Sequence, residues 1–408
     1  MFHEKVNLEY KKNEEIDNIY FNNYDNKNSY LQALNKNLKS SRLNYFKTHN
    51  KNESPTKKLK YYLSCNFKYK IKCHYDKLTY IDIFDNIICS SGIDGFINIY
   101  NINNLYSFFK NNYHIDNDTL KENNFYDDDN YEFNQLNSAN SLVKSFQLEN
   151  CPSIGSVRVI NNSIIAIGDN DGMMHIYNYL LNKITTSLYA HTNSIINIYN
   201  FEDYMLTLSS ECCINKFSLN SNLKTPLNIY YDFNNKIISS DFRSYDNLLL
   251  TLDDNNIVSF KDCKTDCTIS STKTNNDSNI NYVKYNITNL NEYFIASNSN
   301  LKIYDIRNNK EICNLDTVNN TIGLFNDYTN YLSINTCEVK SYNNKLSHNL
   351  SKDYSNIDLE LIETFKTTES KISSVCNSNC NNFREDNISN WNLTCLGCTN
   401  GDMLFAFN

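Results

Sequence analysis

A strand–turn–strand unit that returns about every 40 residues, an acidic or Asx turn six residues ahead of an aromatic in five of the units, and β-rich sequence on both sides predict an all-β fold. The architecture that follows is a seven-bladed β-propeller over residues 60–408, with an N-terminal strand closing the last blade. A basic, Asn/Lys-rich arm over 1–59 precedes it and reads as disordered.

The first unit, SSGIDGFINIYNI, places Asp94 six residues before Tyr100, and the second, GDNDGMMHIYN, pairs Asp171 with Tyr177. LSSECCINKFS then pairs Glu211 with Phe217, and LDDNNIVSFKD pairs Asp254 with Phe260. ASNSNLKIYDI pairs Asn298 with Tyr304, and INTCEVKSYNN pairs Thr336 with Tyr342. The steps between the aromatics are 77, 40, 43, 44 and 38 residues, so four of the five share one period. An Asx side chain at a tight turn accepts its own downstream amides and favours a hairpin. After the turn the residues alternate, as in FINIY and LKIYD, which is the period of a strand with one buried face. Another apolar run precedes each turn, as in IFDNIICSS and EDYMLTLSS.

The seventh unit is read in residues 371–408, with the hairpin WNLTCLGC, TNG, DMLFAF and with Ala406 at the aromatic position. No fourth strand follows it. The segment KYYLSCNFKYKI, residues 60–71, can supply one, and joining the first and last strands removes the exposed sheet edges. The long step between Tyr100 and Tyr177, and the stretch after Tyr342, predict low-complexity insertions near 108–140 and 345–368. Such loops lengthen cheaply because closure entropy grows slowly with length.

These units resemble the WD40-repeat family, whose blades carry Gly-His before the first strand, Ser and Asp around the inner hairpin, and Trp-Asp at the end of the third strand. Here Tyr100-Asn101 and Tyr177-Asn178 stand for Trp-Asp, while Tyr304-Asp305 keeps the acid. His191 is the histidine near the expected place, and the resemblance pairs it with Ser209 and Glu211. Phe217 has no ring N–H, so the family's hydrogen-bonded chain cannot close there and packing is expected to hold the blades. The substitutions suit a composition of 31 Tyr and 22 Phe against one Trp, with 8 Gly, in which Tyr and Phe replace Trp and Asn replaces Gly. Residues 153–219 are further similar to the central blades of the WD repeat-containing protein 55 family, which implies a role in ribosomal RNA processing.

The net charge of −8 is unevenly spread, since residues 1–60 carry 12 Lys/Arg against 7 Asp/Glu. That arm suits contact with nucleic acid or with an import receptor. No apolar run approaches the roughly 18 residues needed to span a bilayer, and the start, MFHEKVNLEYKKNEE, is too charged for a secretory segment. The 14 Cys lie mostly in apolar strand-like segments and read as reduced core residues. The expectation is a soluble intracellular protein, nuclear or nucleolar before cytoplasmic, with no membrane partner.

Cys376, Cys380, Cys395 and Cys398 have the C-x3-C-x14-C-x2-C spacing of a zinc ribbon. A strand would place Cys395 and Cys398 on opposite faces, so the preferred reading is small buried residues and no metal. There is no Gly-x-Ser-x-Gly, no Gly-rich phosphate loop and no His beside a nucleophile in sequence. Asp241-Phe242-Arg243-Ser244 lacks the paired arginines of a phosphoinositide clamp. The chain is therefore expected to be a non-catalytic, monomeric scaffold without cofactor. It would bind other proteins of a multi-subunit complex, and RNA indirectly or through its basic arm, in ribosome biogenesis. The alternative is an adaptor in trafficking or chromatin assembly, or a ubiquitin-ligase substrate receptor. For the last, Tyr304-Asp305-Ile306-Arg307 resembles that class's Trp-Asp-x-Arg and implies Asp305 and Arg307 as interaction residues.

Overall fold

Alternating apolar segments of six or seven residues cannot bury their inner faces alone, and in the computed structural model they assemble as seven four-stranded antiparallel sheets arranged in a ring. The structure describes residues 67, 69–112, 141–148, 153–211, 213–219, 225–230, 235–274, 280–286, 289–297, 300–316, 321–326, 330–344, 359–367, 370–377 and 393–407. The arm over 1–59, most of the 108–140 insertion, Asn298, Cys380 and Trp391 lie outside them.

Blade 1 is β2 (Leu78–Phe84), β3 (Ile87–Gly92), β4 (Phe96–Asn101) and β5 (Leu142–Gln147). Blade 2 is β6 (Ile154–Val159), β7 (Ile164–Asp169), β8 (Met173–Asn178) and β9 (Lys183–Tyr189), and blade 3 is β10 (Ile195–Phe201), β11 (Tyr204–Ser209), β12 (Ile214–Ser218) and β13 (Asn228–Tyr230). Blade 4 is β14 (Ile237–Arg243), β15 (Leu248–Asp253), β16 (Ile257–Asp262) and β17 (Cys267–Lys273), and blade 5 is β18 (Ile280–Tyr285), β19 (Glu292–Ser297), β20 (Asn300–Asp305) and β21 (Lys310–Asp316). Blade 6 is β22 (Thr321–Asn326), β23 (Asn330–Asn335), β24 (Glu338–Asn344) and β25 (Leu359–Lys366). Blade 7 joins β26 (Ile372–Asn377), β27 (Leu393–Cys398) and β28 (Asp402–Phe407) to β1 (Tyr69–Lys72). The closing strand pairs Tyr69 with Phe405 and Lys72 with Asp402, at the C-terminal end of the segment expected to supply it.

Two insertions differ from expectation. Leu359–Lys366, placed by sequence within the 345–368 loop, is the outer strand of blade 6: it pairs with β24 along its length, and Phe365 packs against the apolar cluster between blades 6 and 7. The helix α1 (Ile102–Asn112) begins directly after β4, with Asn101 accepting the Asn104 amide at its start, and its end runs into the 108–140 region. Ile102 and Leu105 bury against blade 1.

The core is a set of seven apolar clusters, each spanning two neighbouring blades. One joins Leu78, Ile83 and Tyr100 of blade 1 to Ile71, Leu393 and Phe405 of blade 7, which closes the ring with side chains as well as with the β1–β28 ladder. The repeat aromatics lie in these seams. Tyr100, Tyr177, Phe217, Phe260 and Tyr304 are buried, Tyr342 is half-buried, and Ala406 fills the same place in blade 7. Phe260 meets Tyr293 of blade 5 edge-on at 5.1 Å, and Phe146 of blade 1 stacks on Tyr177 of blade 2 at 3.8 Å. An aromatic six residues past the turn thus reaches the seam between blades.

Candidate functional site

The innermost strand of each blade carries a register shift at its second residue, and in every blade but the second, where that residue is Gly155, it lines the axial cavity. The axial cavity has a volume of about 410 Å³. Its wall over blades 1–4 is knitted by polar bonds. Tyr80 donates its hydroxyl to Asn197 Oδ1 at 2.6 Å, Asn197 donates to Ser240 Oγ at 3.0 Å, and Tyr199 donates to the Ser240 carbonyl at 2.9 Å. Arg158 pairs with Asp82 at 3.0 Å, while the other Asp82 oxygen accepts the Val159 amide at 2.7 Å. Asp241 repeats this step by accepting the Tyr285 amide.

Burial pushes the Asp82 carboxyl above its usual range against the opposing pull of Arg158, and burial raises Asp241 against Lys284. Desolvation is the largest single influence on the Arg158 guanidinium and lowers its pKa, but Asp82 together with Tyr80, Cys376 and Tyr199 raises it on balance. On the far wall, Asn281 Oδ1, Thr321 Oγ1 and Ser374 Oγ are buried without a protein partner. Among the described residues no histidine lines the cavity. Its described lining residues offer hydrogen-bonding atoms and one fixed ion pair, Arg158–Asp82, with no histidine beside a nucleophile. Sequence reasoning missed Asp82, Arg158, Asp241 and Lys284, whose partners lie on other blades.

On the face that carries the inner-hairpin turns, blades 1 and 3 hold matching polar networks. In blade 3, His191 Nδ1 lies 3.0 Å from Glu211 Oε1, and its Nε2 lies 2.8 Å from Thr207 Oγ1. Thr207 thus takes the position expected of Ser209, which instead donates to the Asn193 and Ser194 carbonyls. Blade 1 repeats the arrangement with a histidine the sequence reading passed over. His74 Nδ1 lies 3.1 Å from Asp94 Oδ1, and its Nε2 lies 3.0 Å from Ser90 Oγ. The carboxylate can only accept, so Nδ1 carries the proton and Ser90 donates to Nε2. Asn98 and Asn215 sit opposite Ser90 and Thr207 on the third strands. Each donates its amide to the carbonyl just before the histidine, Cys73 in one blade and Ala190 in the other. An Asn thus donates on the third strand of both blades although neither has an indole. Burial lowers both histidine pKa values despite the neighbouring carboxylates, so both rings are neutral near pH 7.

The remaining turn residues shift by one or two positions. Asp94 accepts the Phe96 amide at 3.0 Å. Asp171 and Asp254 are exposed, and Asp169 and Asp253 accept the turn amides in their place. Asn335, rather than Thr336, accepts those of Cys337 and Glu338. Asp94 lies past the end of its strand, but Asp169, Asp253 and Asn335 are each the last residue of the second strand, whose side chain lies within reach of the turn amides. Cys376 and Cys395 are register partners in the core, whereas Cys398 faces the opposite side of β27, so these three ribbon positions do not converge. Asp305 and Arg307 form a bidentate pair just past β20, with Nε–Oδ1 at 3.0 Å and the Arg307 side chain 52% exposed. Arg243 is buried and paired with Asp246 at 2.6 Å, so it is spent on structure.

The class the geometry defines is a seven-bladed β-propeller. Comparison with protein-family models gives no match, and comparison with curated protein sequences gives none. Among the described residues no helix is long and apolar enough to cross a membrane.

Proposed function

We propose that the chain is a non-catalytic protein-interaction scaffold that acts in ribosome biogenesis, in the processing of ribosomal RNA. The observation that carries the scaffold reading is where apolar surface is left uncovered. Tyr75 (89% exposed) sits on the segment entering blade 1, Tyr189 (78%) ends the outer strand of blade 2 just before His191, and Ile93 (40%) sits on the blade 1 hairpin turn, all on the face that carries the histidine networks. Exposed aromatics on loops held by a rigid ring are a common form of partner site. The paired state of Asp82 and Arg158 in the axial cavity supports a non-catalytic role. The ribosomal assignment is supported by the basic arm and by the similarity of residues 153–219 noted above. It carries a nuclear or nucleolar location with it.

Purification of the tagged full chain from its own cells, with and without RNase, tests this reading. Co-purifying ribosomal precursors, reduced by RNase or by neutralising Lys36–Lys60, are the expected result. A discrete set of subunits without ribosomal factors, unchanged by RNase, overturns the ribosomal role. The adaptor reading then rests on Asp305 and Arg307. Recovery with a helical ligase adaptor, lost in Arg307→Ala, would favour it.

A further inference from the structure

Blade 3 departs from blade 1 at the second residue after the turn acid. Blade 1 has Phe96 there, and blade 3 has Cys213, which is 8% exposed. Its Sγ lies 3.2 Å from His191 Nδ1 and 3.1 Å from Glu211 Oε1, and those two atoms are 3.0 Å apart. Among the described residues these are the three ligand-type side chains whose donor atoms converge, all within 4.8 Å of one another. We propose that His191, Glu211 and Cys213 form a three-ligand site for a divalent cation of the zinc class, with water completing the tetrahedron on the solvent side of Glu211.

The donor set is chemically matched to that ion. Imidazole, thiolate and carboxylate are the three zinc ligand types, and three protein ligands leave one open position. Bonds of roughly 2.0–2.3 Å in a tetrahedron set ligand atoms about 3.3–3.6 Å apart. The cluster therefore opens by a few tenths of an ångström, within reach of small side-chain rotations. One thiolate and one carboxylate balance the charge of the ion, so none is left uncompensated in a half-buried place.

The surroundings orient each ligand. Thr192 donates its amide to Glu211 Oε1 at 3.1 Å and its hydroxyl to Oε2. His191 Nε2 lies 3.2 Å from the Thr207 carbonyl, which can only accept. The Nε2–H tautomer therefore has its partner in place and leaves the Nδ1 lone pair facing the cluster, the arrangement a metal-bound histidine requires. Burial keeps His191 neutral, and the hydrogen bonds from Thr192 and Cys213 hold the Glu211 carboxyl below its usual range against a desolvation that raises it. Without metal, the imidazole N–H and the thiol S–H both donate to Glu211 Oε1. On binding, the imidazole proton moves from Nδ1 to Nε2 at no net cost in protons, and the thiol proton leaves to solvent. One proton is released per ion bound.

The test is a Co(II) titration of the full chain after stripping with chelator. One equivalent is expected to give thiolate-to-cobalt charge-transfer absorption and tetrahedral ligand-field bands, both abolished by Zn(II), with one proton released. Cys213→Ser should lose the charge-transfer band and weaken binding at least about tenfold, since even the loss of an orienting partner costs about 10–100-fold. Circular dichroism establishes that this variant is folded, and Cys376→Ala should keep the band. No band at one equivalent in the folded wild type, or a band undiminished in folded Cys213→Ser, overturns the proposal.

Discussion

Gly401→Ala tests how the ring is closed. Gly401 has φ +84°, a left-handed conformation that costs a residue with a Cβ about 1–2 kcal/mol. A Cβ there would stand 2.1 Å from the His74 carbonyl oxygen and 2.7 Å from that of Asp76, both of them backbone. The segment entering blade 1 would have to move away. It would forfeit the bonds from the Cys73 and His74 amides to the Gly401 carbonyl, at 3.1 and 3.0 Å, each worth about 0.5–1.5 kcal/mol. The substitution should therefore destabilise the chain by about 2–5 kcal/mol, read as a fall in the urea midpoint by circular dichroism. Gly172 is the internal control. Its φ is +82°, its Cβ would stand 2.2 Å from the His191 carbonyl oxygen, and its own carbonyl accepts the Ala190 and His191 amides. Gly172→Ala should cost as much. A large loss at Gly172 beside a loss under about 1 kcal/mol at Gly401 would mean that residues 73–76 do not lie on the last blade, and would refute the closure.

Arg158→Met should destabilise by about 3 kcal/mol or more in the same urea assay, because it leaves the Asp82 carboxylate buried without its cation. Burial holds the pKa of His74 below its ordinary value of 6.5, so below pH 6.5 the unfolded chain binds the proton that the folded chain refuses. Stability from this residue is full above pH 6.5 and falls as the pH drops below it. The difference in urea midpoint between wild type and His74→Gln should accordingly shrink from pH 7.5 to 5.5. Brief alkylation of the native chain should label the exposed Cys267 and Cys337, read by peptide mass spectrometry. It should spare Cys89 and Cys395, whose thiols burial pushes well up.

The period, the number of blades and the closing strand were legible because a repeating ring writes each blade into local sequence. The turn acceptors were legible only to within two positions. GDNDG offers both Asp169 and Asp171, and sequence alone does not say which ends the strand and faces the turn amides. His74 lies ahead of the first recognisable unit, yet a signal was present, since His74–Asp94 and His191–Glu211 share a spacing of 20 residues. Four Asn residues, Asn182, Asn247, Asn256 and Asn309, adopt positive φ, which suits a chain that uses Asn where glycine is usual. The strand Leu359–Lys366 was hidden by low-complexity sequence around it. The axial residues were not legible at all, because Arg158 meets Asp82 only once the ring exists.

The most direct test of the closed ring is a cross-link between its first and last strands. Lys70 and Leu404 are register partners and both are partly exposed. Antiparallel partners stand about 4.5–5.5 Å apart at Cα, within the span of a disulfide. Lys70→Cys combined with Leu404→Cys should give, on mild oxidation of the folded chain, an intrachain disulfide between residues 70 and 404 detected by peptide mass spectrometry, and should not give it when the reduced chain is oxidised in denaturant. Failure of that pair to link under conditions where both thiols remain reactive would contradict the seven-bladed closure.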